Sequence, residues 1–122
     1  MTERKQVYFA SKCDGMVTAN FFVNNDGRVE AFFADGTIGS SQVTYGIEQR
    51  GKVFFLFERE TQNPKPYEPI PAKNRRLKAK TKEEAIRELI NHVIKPYVKP
   101  GKYSFPVDAE ELRKGLESEL LS

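Results

Sequence analysis

Through the first sixty positions, apolar and polar residues alternate with a period of two. Val17, Ala19, Phe21 and Val23 fall on one side of an extended segment, and Val29, Ala31 and Phe33 do the same in the next. Between them stands Asn24-Asn25-Asp26-Gly27, and Asp-Gly between alternating runs predicts a hairpin. Asp35-Gly36 marks the following turn. Val43, Tyr45 and Ile47 give a further period-2 face, and Arg50-Gly51 leads into Val53-Phe54-Phe55-Leu56-Phe57. With Gln6–Ser11 in front, the pattern predicts five strands on short connections, hence an antiparallel meander.

The period then changes. Ile86, Leu89, Ile90, Val93 and Ile94 recur at helical spacing after Thr81-Lys82-Glu83-Glu84, which has the form of a capping box. Pro96 is expected to stop this helix. Asp108-Ala109-Glu110-Glu111 repeats the box ahead of the narrower stripe Leu112, Leu116 and Leu120. Gly115 weakens the second helix by about 1 kcal/mol relative to alanine, so this helix needs a surface to dock on. Strands followed by helices make a single α+β domain over residues 1–122.

Val53, Phe55 and Phe57 alternate with Phe54 and Leu56, so the fifth strand is apolar on both sides. Phe22 and Phe32 also point away from the main apolar side of their strands. Helices can cover one side of such a sheet. A second subunit is the natural cover for the other, giving a homodimer or higher homo-oligomer.

Charge adds an asymmetry to this frame. The net charge is +3, yet from Pro64 to Lys82 seven basic residues stand against one acid, a local +6. The segment from Asp108 onward carries five acids and two bases, a local −3. Prolines 64, 66, 69 and 71 stiffen the front of the basic run, and Lys73, Arg75, Arg76, Lys78, Lys80 and Lys82 follow. The run reads as a connection between sheet and helices that attracts anions locally.

Catalytic chemistry has little to draw on. There is one histidine, His92, and one cysteine, Cys13. His92 lies off the apolar stripe and is expected at the surface. Cys13 precedes a turn and reads as a small buried residue rather than a nucleophile. No internal disulfide is possible, and His and Cys are too few for a zinc site within one chain. Glu58 and Glu60 share a strand face, and Gly36–Ser41 offers amides and hydroxyls for a phosphate. No run of residues approaches the length and apolarity of a membrane span. These features point to a non-enzyme without cofactor or metal, working in the cytoplasm.

They also point to a binder of phosphate-bearing molecules. Arg59 shares a strand face with Phe55 and Phe57, and such a pairing lets a guanidinium take phosphate while a ring stacks on a base. Two ligands suit it. One is single-stranded nucleic acid laid across a curved sheet, and the other a compact nucleotide or cyclic nucleotide in a pocket. The modest net charge favours the compact ligand. A protein-binding inhibitor using the basic run is a third possibility.

In length and element order, the whole chain resembles the first type of phage Thoeris anti-defence proteins. That resemblance implies sponges that sequester cyclic ADP-ribose isomers, and in some members cyclic oligonucleotides, without cleaving them, in oligomeric pockets. By the same resemblance, ligand contacts fall to Arg59 in Phe57-Glu58-Arg59, Asn91 in Ile90-Asn91-His92, and Arg113 in Leu112-Arg113-Lys114. The stacking aromatic comes from Phe9, Tyr67 or Tyr97, and Arg75 and Arg76 of the basic run assist.

Overall fold

The computed structural model describes residues 3–36, 39–63, 70–98 and 106–121. Among them, six strands form one antiparallel sheet in the order of the chain: β1 (Arg4–Lys12), β2 (Val17–Asn24), β3 (Val29–Asp35), β4 (Gly39–Arg50), β5 (Val53–Asn63) and β6 (Lys73–Arg76). Two helices follow, α1 (Lys82–Val98) and α2 (Ala109–Leu120). The α+β meander is as expected; the strand count is six, not five. The sixth strand takes four residues out of the basic connection and pairs them with Phe55–Glu58. All four are exposed, so no apolar alternation marks the strand. Its lysines and arginines suit a sheet edge, where charge discourages pairing with another chain.

Turn chemistry sets the register. Arg28 donates its backbone N–H to Asp26 Oδ1 at 3.0 Å, and Gly27 takes φ 86°, which frees the β2–β3 turn from a side-chain clash. Ala19, Phe21, Ala31 and Phe33 line up across β2 and β3 on one face, and β4 continues it with Val43 and Tyr45. Phe21 is fully buried and meets Phe33, Tyr8 and Tyr97 edge to face, at 5.6, 6.0 and 6.2 Å between centroids.

Both helices pack on this face. α1 lies against β4 and β5, α2 against β1 and β2, and the two touch each other. α1 buries Ala85, Leu89, Ile90, Val93 and Ile94. Its capping box is half formed: Thr81 Oγ1 accepts the Glu84 N–H at 3.2 Å, while Glu84 reaches back to the N–H of Lys80. Pro96 does not stop the helix, which continues to Val98. In the last turn the proline removes one intrahelical bond and is tolerated. α2 is capped by Asp108, whose Oδ1 accepts from Glu110 and Glu111 at 3.0 and 3.2 Å. The Asp108 N–H in turn donates to the Tyr8 hydroxyl at 2.8 Å, tying the start of α2 to β1.

β1 carries one irregularity. Its pairing with β2 shifts between Gln6 and Tyr8, so Val7 is an extra residue. A Cβ on Gly115 would stand 2.5 Å from the Val7 carbonyl oxygen. The glycine therefore serves close contact between α2 and the bulge, and the docking surface that α2 needs is β1.

Candidate functional site

With both helices on one side, no described element covers the opposite face of the sheet. Its side chains follow from the register, because directly paired residues point the same way. One row runs Phe9, Asn20, Phe32, Gln42, Thr61 across β1 to β5. The next runs Gln6, Phe22, Glu30, Thr44, Arg59. Further along stand Gly46, Phe57 and Asn74, then Glu48, Phe55 and Arg76. Five phenylalanines and a set of arginines thus share one open face.

The rings and guanidinium groups are matched. Arg4 lies 4.7 Å above the Phe22 centroid and 5.2 Å from that of Phe32. Arg50 lies over Phe55 at 5.1 Å. Phe57 meets two arginines, Arg59 at 5.7 Å and Arg28 at 6.0 Å. Gly46 leaves the space through which Arg28 crosses the sheet. Stacking on an exposed ring is worth about 0.5–1 kcal/mol and leaves the charge in water. Three of these arginines also meet carboxylates: Arg4 with Glu30 at 3.0 Å, Arg28 with Asp26 at 4.0 Å, and Arg50 with Glu48 at 3.3 Å. Arg59 and Arg76 have no carboxylate partner among the described residues. Neither do Arg75 and Lys73, so among the described residues no carboxylate offsets the positive charge of the β6 edge.

Two shallow concavities lie on this face. One, of about 720 Å³, is bounded by Arg4, Arg28, Thr44, Phe57 and Arg59, with Asp26, Glu30 and Glu48 around them. The other, of about 390 Å³, lies around Phe9, Asn20, Phe32 and Gln42, and among the described residues its lining is uncharged. A third hollow, of about 650 Å³, opens at the sheet end between the β2–β3 turn, Lys82 of α1 and Glu119 of α2, where Lys5 and Glu119 pair at 2.7 Å.

The residues nominated from sequence divide between the two layers. Arg59 and Phe9 lie on the open face, and Phe9 is 55% exposed. Arg76 is there too, whereas Arg75, paired with Leu56, points to the helix side. Asn91 and Arg113 meet on the helix layer, where the Arg113 guanidinium donates to Asn91 Oδ1 at 3.0 Å. The sheet separates that pair from Arg59. Tyr97 packs on Phe21 and Phe33 as core. Tyr67 and the prolines at 64, 66 and 69 lie outside the described residues, as do residues 37–38 of the 36–41 segment; Gly39, Ser40 and Ser41 begin β4.

Two expectations are overturned. His92 is not an outward helical residue: its Nε2 lies 2.6 Å from Glu58 Oε1, and its ring meets Tyr45 edge to face. Seven positions after buried Ala85, it shares that helix face, and counting Ala85 in the apolar stripe would have placed it there. Cys13 is exposed, not buried. It and Asp14 hold the β1–β2 turn at positive φ, 55° and 54°, so the turn carries the thiol outward. The Glu58–Glu60 pair is likewise dispersed, with Glu58 on His92 and Glu60 accepting from Gln62.

No group of three or more His, Cys, Asp and Glu converges as a metal site among the described residues, and no helix there is long and apolar enough to cross a membrane. No family model, curated protein or solved structure matches the chain.

Proposed function

We propose that the open face of the sheet binds single-stranded nucleic acid, without chemical change to it. One observation carries this reading: five phenylalanines from four strands share the helix-free face with Arg59 and Arg76, which have no carboxylate partner among the described residues. Phe9 is exposed and the other four rings are half-buried; rings on an open sheet face are stacking platforms for unpaired bases, worth about 1–3 kcal/mol per base, and every base has a face to offer. The guanidinium groups of Arg59 and Arg76 at this end of the face take the phosphates in two-point fashion.

Shape favours a polymer over a compact ligand. Six strands spaced about 4.8 Å apart make a face about 24 Å wide, and the rings are spread over most of it. Such a width fits a short site, near the lower end of the roughly 4–16 nucleotides that comparable sheet platforms occupy.

A second reading is retained for one reason. The concavity of about 720 Å³ bounded by Arg4, Arg28, Phe57 and Arg59 falls in the size range of small-molecule sites. It supports sequestration of a phosphorylated nucleotide of the cyclic ADP-ribose type, the function implied by the resemblance to phage anti-defence sponges. Asn91 and Arg113 would join Arg59 there through a second copy of the chain, which makes a homo-oligomer part of this reading.

Fluorescence anisotropy with labelled oligonucleotides of increasing length separates the two. Under the polymer reading, affinity climbs with length until the face is filled. It also falls with salt, with a logarithmic slope of about −0.7 for each phosphate neutralised. Length-independent binding, equalled by a mononucleotide or cyclic dinucleotide, supports the pocket instead. No binding by any of these probes rules out both.

A further inference from the structure

Two places on the open face repeat one arrangement of ring, arginine and carboxylate. Glu30 pairs directly with Phe22 across β2 and β3, and Glu48 with Phe55 across β4 and β5, so each carboxylate stands beside a ring. An arginine joins the two in each case. Arg4 donates to Glu30 Oε2 at 3.0 Å while lying 4.7 Å above the Phe22 centroid. Arg50 donates to Glu48 Oε2 at 3.3 Å while lying 5.1 Å above that of Phe55. Arg4 also reaches Phe32, at 5.2 Å. Asn24 Nδ2 donates to the other oxygen of Glu30 at 3.4 Å, which holds that carboxylate in place.

A carboxylate and a phosphate present like pairs of anionic oxygens to a guanidinium. A base that stacks on Phe22 or Phe55 needs the ring face that the arginine covers. Both demands are met together when the phosphate of a nucleotide takes the arginine from its carboxylate and the base takes the ring. A nucleoside brings the base without the phosphate and leaves the pair closed. Inorganic phosphate brings no base and gains nothing from the ring. The exchange meets little resistance, because exposed ion pairs contribute little on their own.

We propose that Glu30 and Glu48 are specificity-determining residues of this face. Each is an internal stand-in for phosphate that keeps its arginine over a ring until a ligand carrying phosphate beside a base displaces it. The inference rests on the single-strand reading of the face and adds to it a requirement for an anionic backbone. Arg4 and Arg50 are thereby held in reserve, whereas Arg59 and Arg76 meet the strand first.

The test is a double-mutant cycle read by anisotropy of labelled oligothymidylate on the full chain. Glu30→Gln keeps the outline of the side chain and removes its charge, so binding no longer has an ion pair to open. Affinity is expected to rise about two- to fivefold, the range set by the worth of such pairs. In the Arg4→Ala background there is no pair to open, and the same change brings no such gain. The cycle is run at about 0.15 M salt, where a Debye length of about 8 Å mutes repulsion through solvent. Glu48→Gln with Arg50→Ala repeats it where both side chains are well exposed, at 40% and 68%, so that these substitutions leave the fold alone. At either pair, an equal gain with and without the arginine shows mere repulsion and overturns the inference there, as does no gain while the arginine is present. The platform survives both of those results. If oligothymidylate fails to bind the unaltered chain, the platform falls and the inference with it.

Discussion

Arg59 lies over the ring of Phe57, 5.7 Å from its centroid, on the side of the sheet that no described helix covers. Both side chains come from β5, two residues apart, and the pair joins the most apolar strand to the basic edge beside it. Arg59→Ala is expected to weaken oligonucleotide binding and make the salt slope shallower by about 0.7. Because Arg59 is exposed and has no carboxylate partner among the described residues, unfolding free energy should move by less than about 0.5 kcal/mol. Anisotropy titrations at several salt concentrations and a urea melt give both numbers.

Phe9→Ala tests stacking with little structural cost, since this ring is more than half exposed at the sheet edge. One lost stacking contact corresponds to a fall in affinity of roughly tenfold, within the range of about 1–3 kcal/mol per base. The salt slope should stay where it was, because no charge is removed. A change in slope with unchanged affinity would contradict the role assigned to this ring.

Gly115→Ala opposes two effects. Alanine improves intrinsic helix propensity by about 1 kcal/mol, but its Cβ meets the Val7 carbonyl oxygen at 2.5 Å. A contact that short requires α2 or the β1 bulge to move, at a cost of about 1–3 kcal/mol. Net destabilisation is the expected outcome in equilibrium unfolding. An increase in stability would mean that α2 does not sit against β1 as described.

His92 joins α1 to β5 through Glu58 at 2.6 Å, a half-buried contact. His92→Ala and Glu58→Ala should each destabilise the fold by about 1 kcal/mol or somewhat more, and the double variant by less than their sum. A double-mutant cycle in urea measures the coupling. Strict additivity would show that the contact contributes nothing.

Much of this arrangement was readable from residue order. Period-2 alternation marked the five apolar strands, and the off-phase Phe22 and Phe32 with the two-sided Val53–Phe57 run showed that the second face is not an ordinary solvated one. β6 was hidden because Lys73-Asn74-Arg75-Arg76 is exposed throughout and has no apolar position to give it a period. His92 was misplaced because small Ala85 drops out of a hydrophobic stripe while still marking its direction. The row of Phe9, Asn20, Phe32, Gln42 and Thr61 depends on five strands' registers. One of these turns on the bulge at Val7, which no local pattern announces. The trio Arg59, Asn91 and Arg113 was nominated by element order, and element order does not say on which side of a sheet each residue points.

The most direct test of the central claim maps oligonucleotide binding onto backbone amides by two-dimensional NMR. The account predicts perturbed signals along the open face, at Phe22, Phe32, Thr44, Phe57, Arg59 and Arg76, with α1 and α2 largely unmoved. Perturbations gathered around Asn91 and Arg113 on the helix layer, with the open face silent, would contradict it.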